Sequence, residues 1–242
     1  MKLLRLLSNF FSPPLCIFCR NPLDIESEDN ICPRCKKDIP LNNKKSCRIC
    51  ATPLDISFGD LYCGVCRKGK RAFAQTVSRY VFKDGVAAAV RYMKFGKGQI
   101  WIADTLGRLV AKTVLEEYQG IKFDMVVYVP ISKKRMRERG FNQSEIIAEA
   151  VCKELGLAKP SGVLQKLYDT PRQSGLKLKE RRGNVKGAFG VKNGSVVEDK
   201  TVLLIDDICT TGATLDECSR VLKKAGATVV YCATAATTAL GR

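Results

Sequence analysis

Short apolar runs alternate with segments that are apolar at every third or fourth position along the chain after residue 70. Compact β-branched or aromatic runs predict buried strands, and the three-to-four spacing predicts amphipathic helices. The predicted strands are 80–82, 124–129, 202–205 and 227–233. The predicted helices are 85–93, 100–118, 144–155 and one that starts at residue 214 and stops at Gly226. Strands that alternate with helices in this way predict an α/β fold with a parallel sheet.

The first 70 residues lack this alternation, and we predict a division into an N-terminal module at 1–70 and an α/β domain at 71–242. Residues 1–11 are rich in Leu and Phe, which favours a short amphipathic helix packed on the protein. A truncated signal peptide and a weak membrane-surface contact are the alternatives for this segment. No apolar run approaches the ~20 residues of a transmembrane helix.

Eight of the twelve cysteines form two identical patterns, each with two Cys-x-x-Cys pairs separated by twelve residues. The first pattern contains Cys16, Cys19, Cys32 and Cys35, and the second contains Cys47, Cys50, Cys63 and Cys66. Two such pairs supply the four thiolates of a structural zinc site. Disulfides are the alternative, but no complete signal peptide precedes the pattern, which favours a reducing compartment. We therefore predict two structural Zn²⁺ ions in two ribbons, with each pattern closing its own site.

The charge balance is strongly basic, with 41 Lys and Arg against 24 Asp and Glu, a formal net charge of +17. Eight thiolates that bind two Zn²⁺ ions lower this charge to about +13. The excess favours phosphates, nucleotides or nucleic acid as partners, although a basic surface kept for solubility has the same charge. The chain has no histidine, which excludes a histidine base or a Ser-His or Cys-His catalytic arrangement.

The segment 202–214 carries the most specific chemical pattern in the sequence. The predicted strand 202–205 is followed by Asp206 and Asp207, and a Thr- and Gly-rich turn then leads into the next helix. Ligands of open α/β sheets lie beyond the carboxyl ends of the strands. We expect the two acids to hold vicinal hydroxyls of a sugar. The turn, which consists of Thr210, Thr211, Gly212, Ala213 and Thr214, would hold its phosphate at the helix N-terminus.

The motif Asp206-Asp207-x-x-Thr210-Thr211-Gly212-x-Thr214 resembles the phosphoribosyl-pyrophosphate (PRPP) motif of type I phosphoribosyltransferases. The resemblance implies that Asp206 and Asp207 hold the ribose 2′- and 3′-hydroxyls and that the turn 210–214 binds the 5′-phosphate. It also implies a Mg²⁺ ion that bridges pyrophosphate and ribose oxygens. An acidic strand-to-helix loop with a capping threonine is the structural alternative.

Two other polar stretches are candidates for the same site. We expect 131–140 to be a cation-rich loop after the strand 124–129, with Lys133 or Arg135 facing pyrophosphate. Residues 168–190 have the composition of a mobile active-site lid or of a surface hairpin, and Arg172 within them is the second candidate for pyrophosphate.

Three further motifs resemble the ComF family over essentially the whole chain. They are Arg139-Gly140-Phe141-Asn142-Gln143, Arg172-Gln173-Ser174 and Arg182-x-Asn184-Val185-x-Gly187-Ala188-Phe189. The resemblance implies a double zinc ribbon followed by a type I phosphoribosyltransferase-like domain. It also implies a cytoplasmic protein linked to competence, DNA uptake and the processing of incoming single-stranded DNA. A DNA-uptake helicase and other competence proteins are then candidate partners.

Three hypotheses for the function follow. The first is a PRPP-binding phosphoribosyltransferase with an unidentified acceptor, in which positioning and charge replace a strong base. The second is a non-catalytic module for single-stranded nucleic acid, with Phe141 and Phe189 in a basic groove and PRPP or a 5′-phosphate only as ligand. The third is a PRPP-sensing regulator that docks a partner through the ribbons.

The other four cysteines show no ligand spacing. Cys152, Cys218 and Cys232 lie in apolar patterns and are expected in the core. Cys209 falls within the phosphate motif and is assigned no chemistry, although it becomes oxidisable if the helix N-terminus lowers its pKa.

Overall fold

The structure is a computed structural model of the 242-residue chain. It describes residues 14–24, 29–42, 45–54, 61–96, 99–170, 183 and 185–239. The elements in chain order are α1 (Pro33–Asp38), α2 (Gly64–Lys68), β1 (Thr76–Val81), α3 (Asp84–Phe95), α4 (Ile100–Glu117), β2 (Met125–Tyr128), α5 (Lys133–Arg139), α6 (Gln143–Leu155), β3 (Leu164–Lys166), β4 (Phe189–Val191), a 3₁₀ turn (Gly194–Val196), β5 (Thr201–Cys209), α7 (Ala213–Lys224) and β6 (Val229–Thr237).

The main sheet has four parallel strands in the order β1-β6-β5-β2. The small strands β3 and β4 form a separate antiparallel pair beside it. The predicted α/β class with a parallel sheet is therefore confirmed. No helix among the described residues is long and apolar enough to cross a membrane.

Each side of the main sheet carries its own apolar layer. Residues of β5 alternate between the layers, because successive side chains of a strand point to opposite faces. Leu203 and Ile205 face the layer formed with α3, α4 and α6, whereas Val202 and Leu204 face the layer formed with α7 and the β3–β4 pair. A strand covered on both faces must be apolar at every position, which explains the run that predicted it.

The two cysteine modules pack on opposite sides of this sheet. Residues of the first module, including Cys16 and Phe18, belong to the layer of α3 and α4. Residues of the second, including Cys47 and Cys50, belong to the layer of α7. The boundary at residue 70 stays a prediction, and the N-terminal segment 1–11 lies outside the described residues.

Several elements differ from the sequence-based expectations. Strand β1 spans Thr76–Val81 instead of 80–82, and β6 spans Val229–Thr237 instead of 227–233. The stretch 131–140 was expected to be a loop, but it contains α5. Ser132 caps the start of this helix by accepting a hydrogen bond from the Arg135 N–H, and Gly140 ends it in the left-handed region at φ 81°. The strand expected at 202–205 instead runs from Thr201 to Cys209, because β6 pairs with it as far as Cys209.

Candidate functional site

Asp206 and Asp207 lie within β5, at the point where the sheet becomes narrower. The neighbouring strand β2 ends opposite Ile205, whereas β6 continues beside both acids. The sequence-based expectation that the strand stops before the acids was therefore wrong. Both acids lie beyond the end of β2, and both line a cavity there.

Each carboxylate has its own partners. Asp206 Oδ1 accepts hydrogen bonds from Ser144 Oγ at 2.8 Å and from the Asp207 N–H at 2.9 Å. Asp207 Oδ2 lies 2.5 Å from Lys94 Nζ. Asn142 positions Ser144, because it caps the start of α6 and its Nδ2 donates to the Val129 carbonyl at 3.0 Å.

The pKa of Asp206 is raised to about 7. Burial is the main cause and the neighbouring charge of Asp207 adds to it, whereas Ser144, the Asp207 N–H and Lys94 act in the opposite direction. The site therefore contains one carboxyl group whose charge changes near neutral pH.

The turn 210–214 follows the acids and opens α7. Gly212 is the N-cap residue at φ 73°, and as a glycine it has no side chain that could cap the helix. Thr210, Gly212, Ala213 and Thr214 line the cavity. Thr211 is buried instead, and its Oγ1 accepts a hydrogen bond from the Ala213 N–H at 3.3 Å. Thr211 thus bonds to one N–H of the first turn, and the cavity-lining N-terminus of α7 remains suited to an anion.

The cavity has a volume of about 490 Å³, within the range of about 300–1,000 Å³ of small-molecule sites. Besides the two acids and the turn, its lining is rich in cations. These are Arg91, Lys94, Arg135, Arg139 and Lys166. Of the three predicted pyrophosphate contacts, Arg135 lines the cavity, Lys133 is exposed outside its lining, and Arg172 lies outside the described residues.

Sequence reasoning missed three residues of the site. Lys94 and Ser144 contact the acids from helices far away in sequence, so no local motif identified them. Lys166 projects from β3, and its Nζ donates to Thr170 Oγ1 at 3.1 Å. Burial, followed by the charge of Arg135, lowers the pKa of Lys166. In the sequence, only the position of Lys166 just after the apolar residues Val163 and Leu164 could have indicated that it lies at the end of a short strand.

The aromatic residue that is exposed at the cavity is not the one expected for the stacking groove. Phe189 is only 4% exposed and packs under the Lys166 amine, with Nζ 5.3 Å from the ring centroid. Phe189 is therefore not available for base stacking. Phe95, at the end of α3, is 65% exposed, lines the cavity and has the Arg139 guanidinium 5.7 Å from its ring centroid.

Cys209 is the last residue of β5 and is only 1% exposed. Burial raises its pKa to about 12, so the helix N-terminus does not activate this thiol. Its Sγ donates to the Cys50 carbonyl at 3.6 Å. Cys152, Cys218 and Cys232 are buried, as expected for core residues.

The eight remaining cysteines form two tetrads, and within each tetrad all four sulfurs lie within 4.8 Å of one another. The Cys19 and Cys32 sulfurs are 3.7 Å apart, and those of Cys50 and Cys63 are 3.6 Å apart. Ligands at the usual Zn–S distance in a tetrahedron are separated by about 3.8 Å. Both tetrads therefore fit structural zinc, and each pattern closes its own site as predicted.

Comparison with known proteins agrees with this architecture. Residues 7–67 match the double zinc ribbon domain, and residues 142–241 match the phosphoribosyl transferase domain. The fold and site thus define a double-zinc-ribbon protein with a phosphoribosyltransferase domain.

Three relatives extend the match to most of the chain. Competence protein F of Haemophilus influenzae is 28% identical, and the match covers 90% of this chain and 94% of that protein. DNA utilization protein YhgH of Salmonella typhimurium is 30% identical over the same shares. Competence protein ComFC of Bacillus subtilis is 29% identical, with 88% of this chain and 79% of that protein covered. The chain belongs to the ComF family.

Proposed function

We propose that the cavity binds PRPP together with Mg²⁺. Asp206 and Asp207 hold the ribose 2′- and 3′-hydroxyls, and the turn 210–214 holds the 5′-phosphate. Arg135, the one of the two alternatives Arg135 and Lys133 that lines the cavity, faces the pyrophosphate, and Arg172 stays a candidate for the same role from the sequence alone. The observation that carries the proposal is that one cavity is lined by both carboxylates, by the start of α7 and by five cationic side chains.

The chemistry of a phosphoribosyl transfer fits these side chains. The sugar becomes cationic as the pyrophosphate leaves, so the site must position the reactants and neutralise the leaving group. The carboxylates of Asp206 and Asp207 fix the ribose, and the cations stabilise the negative charge that develops on pyrophosphate. When bound, Mg²⁺ neutralises pyrophosphate charge. A histidine base is not required.

Lys94 competes with the ligand for Asp207. Its Nζ contacts the Asp207 carboxylate in the ligand-free chain, so ribose or Mg²⁺ binding at Asp207 requires that this ion pair is loosened. The released ammonium group remains at the cavity, where it can pair with a phosphate of the ligand.

At the cellular level, we infer a cytoplasmic role in competence and DNA uptake, in the processing of incoming single-stranded DNA. The relatives named as competence and DNA utilization proteins support this role. A DNA-uptake helicase and other competence proteins are the expected protein partners.

Titration calorimetry with PRPP and Mg²⁺ tests the first proposal. Asp206→Asn combined with Asp207→Asn should weaken binding by about 100-fold or more, since two charged contacts are lost. Asp104→Asn is the matched control, because Asp104 pairs with Arg108 on the surface of α4. Equal affinity in the double variant and the native chain would remove the proposed site. Release of pyrophosphate with candidate acceptors then tests turnover.

The second candidate function, binding of single-stranded DNA, is favoured by Phe95. This exposed aromatic ring lines the same cavity as Arg91 and Arg139, and the Arg139 guanidinium lies over it. Bases stack on such rings while cations neutralise the backbone. Phe95→Ala should weaken binding of a short oligonucleotide by about tenfold, and the native affinity should fall steeply with salt. Salt-independent binding, or an unchanged Phe95→Ala variant, would contradict this function.

A further inference from the structure

Arg71 links the second cysteine tetrad to the turn 210–214. Its side chain is only 1% exposed. Nη2 donates to the Thr211 carbonyl at 2.8 Å, and Nη1 lies 3.3 Å from Asp216 Oδ2 in the first turn of α7. The Ala72 N–H donates to the other oxygen of the Asp216 carboxylate at 2.8 Å. The chain just after the tetrad therefore holds both the turn and the helix that the turn begins.

The tetrad also contacts the end of β5 and the start of β1. Cys209 Sγ donates to the Cys50 carbonyl, and the Thr76 N–H donates to the Ile49 carbonyl at 2.7 Å. A Cβ at Gly212 would lie 3.6 Å from Arg71 Nη2, so the guanidinium lies directly against the turn. The end of β5 and the start of β1 are thus both hydrogen-bonded to the segment 47–50 of the second ribbon.

The charge of the metal site explains why an arginine can be buried here. Four thiolates and one Zn²⁺ ion carry a net charge of −2. The Arg71 guanidinium lies beside Cys66 of this tetrad and the Asp216 carboxylate. Loss of the metal would release the geometry of the tetrad. Arg71, which lies beside Cys66, would then lose part of what fixes its position against the turn.

The first tetrad has no comparable contact with the turn among the described residues. Its Arg20 donates to Gln99 at 3.3 Å and lies over the Tyr92 and Trp101 rings, on the side of α3 and α4. The two ribbons therefore pack on different faces of the sheet, and each has an arginine just after it or within it that can be compared.

We propose that Arg71 is a positioning residue that couples metal binding at the second tetrad to phosphate binding at the turn 210–214. The assignment of the phosphate to this turn rests on the proposed function, whereas the coupling of Arg71 to the turn is a property of the ligand-free chain. Because coupling between two sites is reciprocal, bound PRPP also retains the metal of the second tetrad.

Hydrogen exchange of the ligand-free, zinc-loaded protein tests the link itself. Arg71→Met should raise the exchange rate of amides in 209–216 by about tenfold, and Asp216→Asn, which removes only the charge, should have a smaller effect. Arg20→Met is the matched control and should leave these amides unchanged. Unchanged exchange in Arg71→Met, or equal acceleration in Arg20→Met, would overturn the proposal. Amides of α4 report global unfolding in any variant.

Zinc release tests the coupling to ligand. In a Cys19→Ser background the first tetrad is incomplete, so release to a chromophoric chelator reports the second tetrad. PRPP with Mg²⁺ should slow this release by about fivefold or more, and Arg71→Met should abolish the effect. Release that PRPP slows equally with and without Arg71 would contradict the coupling. If the exchange pattern holds but PRPP does not bind, the proposed function fails and the Arg71 link stands.

Discussion

Asp206 accepts two hydrogen bonds, yet burial and the charge of Asp207 raise its pKa to about 7 from an ordinary value of 3.8. Between these two pH values the folded chain retains a proton that the unfolded chain releases. The contribution of Asp206 to folding stability therefore falls as the pH rises from about 4 to about 7. Above this range the folded chain carries an ionised, half-buried carboxylate.

Asp206→Asn should consequently stabilise the chain at pH 8. Asn keeps an oxygen that can accept the Ser144 hydrogen bond but carries no charge. We expect Tm to increase by about 2–4 °C at pH 8 for each kcal/mol gained, and the gain should shrink toward pH 4. Calorimetric melting between pH 4 and pH 8 measures this difference. A variant that is less stable than the native chain at pH 8 would contradict the proposed cost of ionisation.

Ligand binding should have the opposite pH dependence, because the ionised form of Asp206 suits Mg²⁺ and ribose hydroxyls. Affinity for PRPP with Mg²⁺ should increase about tenfold between pH 6 and pH 8. Lys94→Met should move the midpoint of this increase to higher pH, since the Lys94 charge acts to lower the pKa of Asp206. The ionisation of the ligand is the same for each variant. A difference in midpoint between variants therefore measures a change in the ionisation of the protein and not of the ligand.

Lys153→Met is the control for this shift, because Lys153 lies on the exposed side of α6. A midpoint that is identical in the native chain and in Lys94→Met would show that Lys94 does not act on Asp206. Equal displacement in both lysine variants would assign the shift to net charge alone.

At the scale of elements, α4 and α6 approach closely at Gly107. A Cβ at this position would lie 2.6 Å from Ala150 Cβ and 2.7 Å from the Ile147 carbonyl oxygen. Gly107→Ala should therefore destabilise the chain by about 1–3 kcal/mol through overpacking. Denaturant unfolding measures the loss. Gly69→Ala is the control, because a Cβ there meets nothing within 4 Å; equal stability of the two variants would contradict the close packing.

The sequence predicted the larger elements well because their periodicity is local. Helices such as α4 and α6 have regular apolar stripes, and the buried run of β5 is apolar on both faces. The helix α5 was missed because its cations mask any stripe, although Ser132 and Gly140 were available as start and stop signals. The length of β5 was missed because β6 sets it, and a strand partner cannot be identified from periodicity.

At the scale of the whole molecule, the predictable part of the site is the part that one segment supplies. Asp206, Asp207 and the turn 210–214 are contiguous, and each cysteine tetrad has its own regular spacing. The remaining contacts join residues that are more than 60 positions apart in sequence. They are those of Lys94 with Asp207, of Ser144 with Asp206 and of Arg71 with Thr211. Such contacts depend on how the layers pack, which a motif does not encode.

The two tetrads differ in exposure, and this asymmetry should be visible in the loss of metal. Cys19 of the first tetrad is exposed, whereas all four cysteines of the second tetrad are buried against α7 and β5. A chelator must reach a sulfur–metal bond before it can remove the ion, and buried sites require local opening first. We therefore expect two Zn²⁺ ions per chain and two phases of release, with the fast phase from the first tetrad.

Metal analysis and stopped-flow release to a chromophoric chelator measure this behaviour. Cys19→Ser should remove the fast phase and one zinc ion while it leaves the slow phase unchanged. Retention of both phases in Cys19→Ser, or a single phase in the native chain, would contradict the difference between the tetrads. Because the slow site is the one that Arg71 joins to the turn, we expect loss of its metal to loosen the turn 210–214 as well.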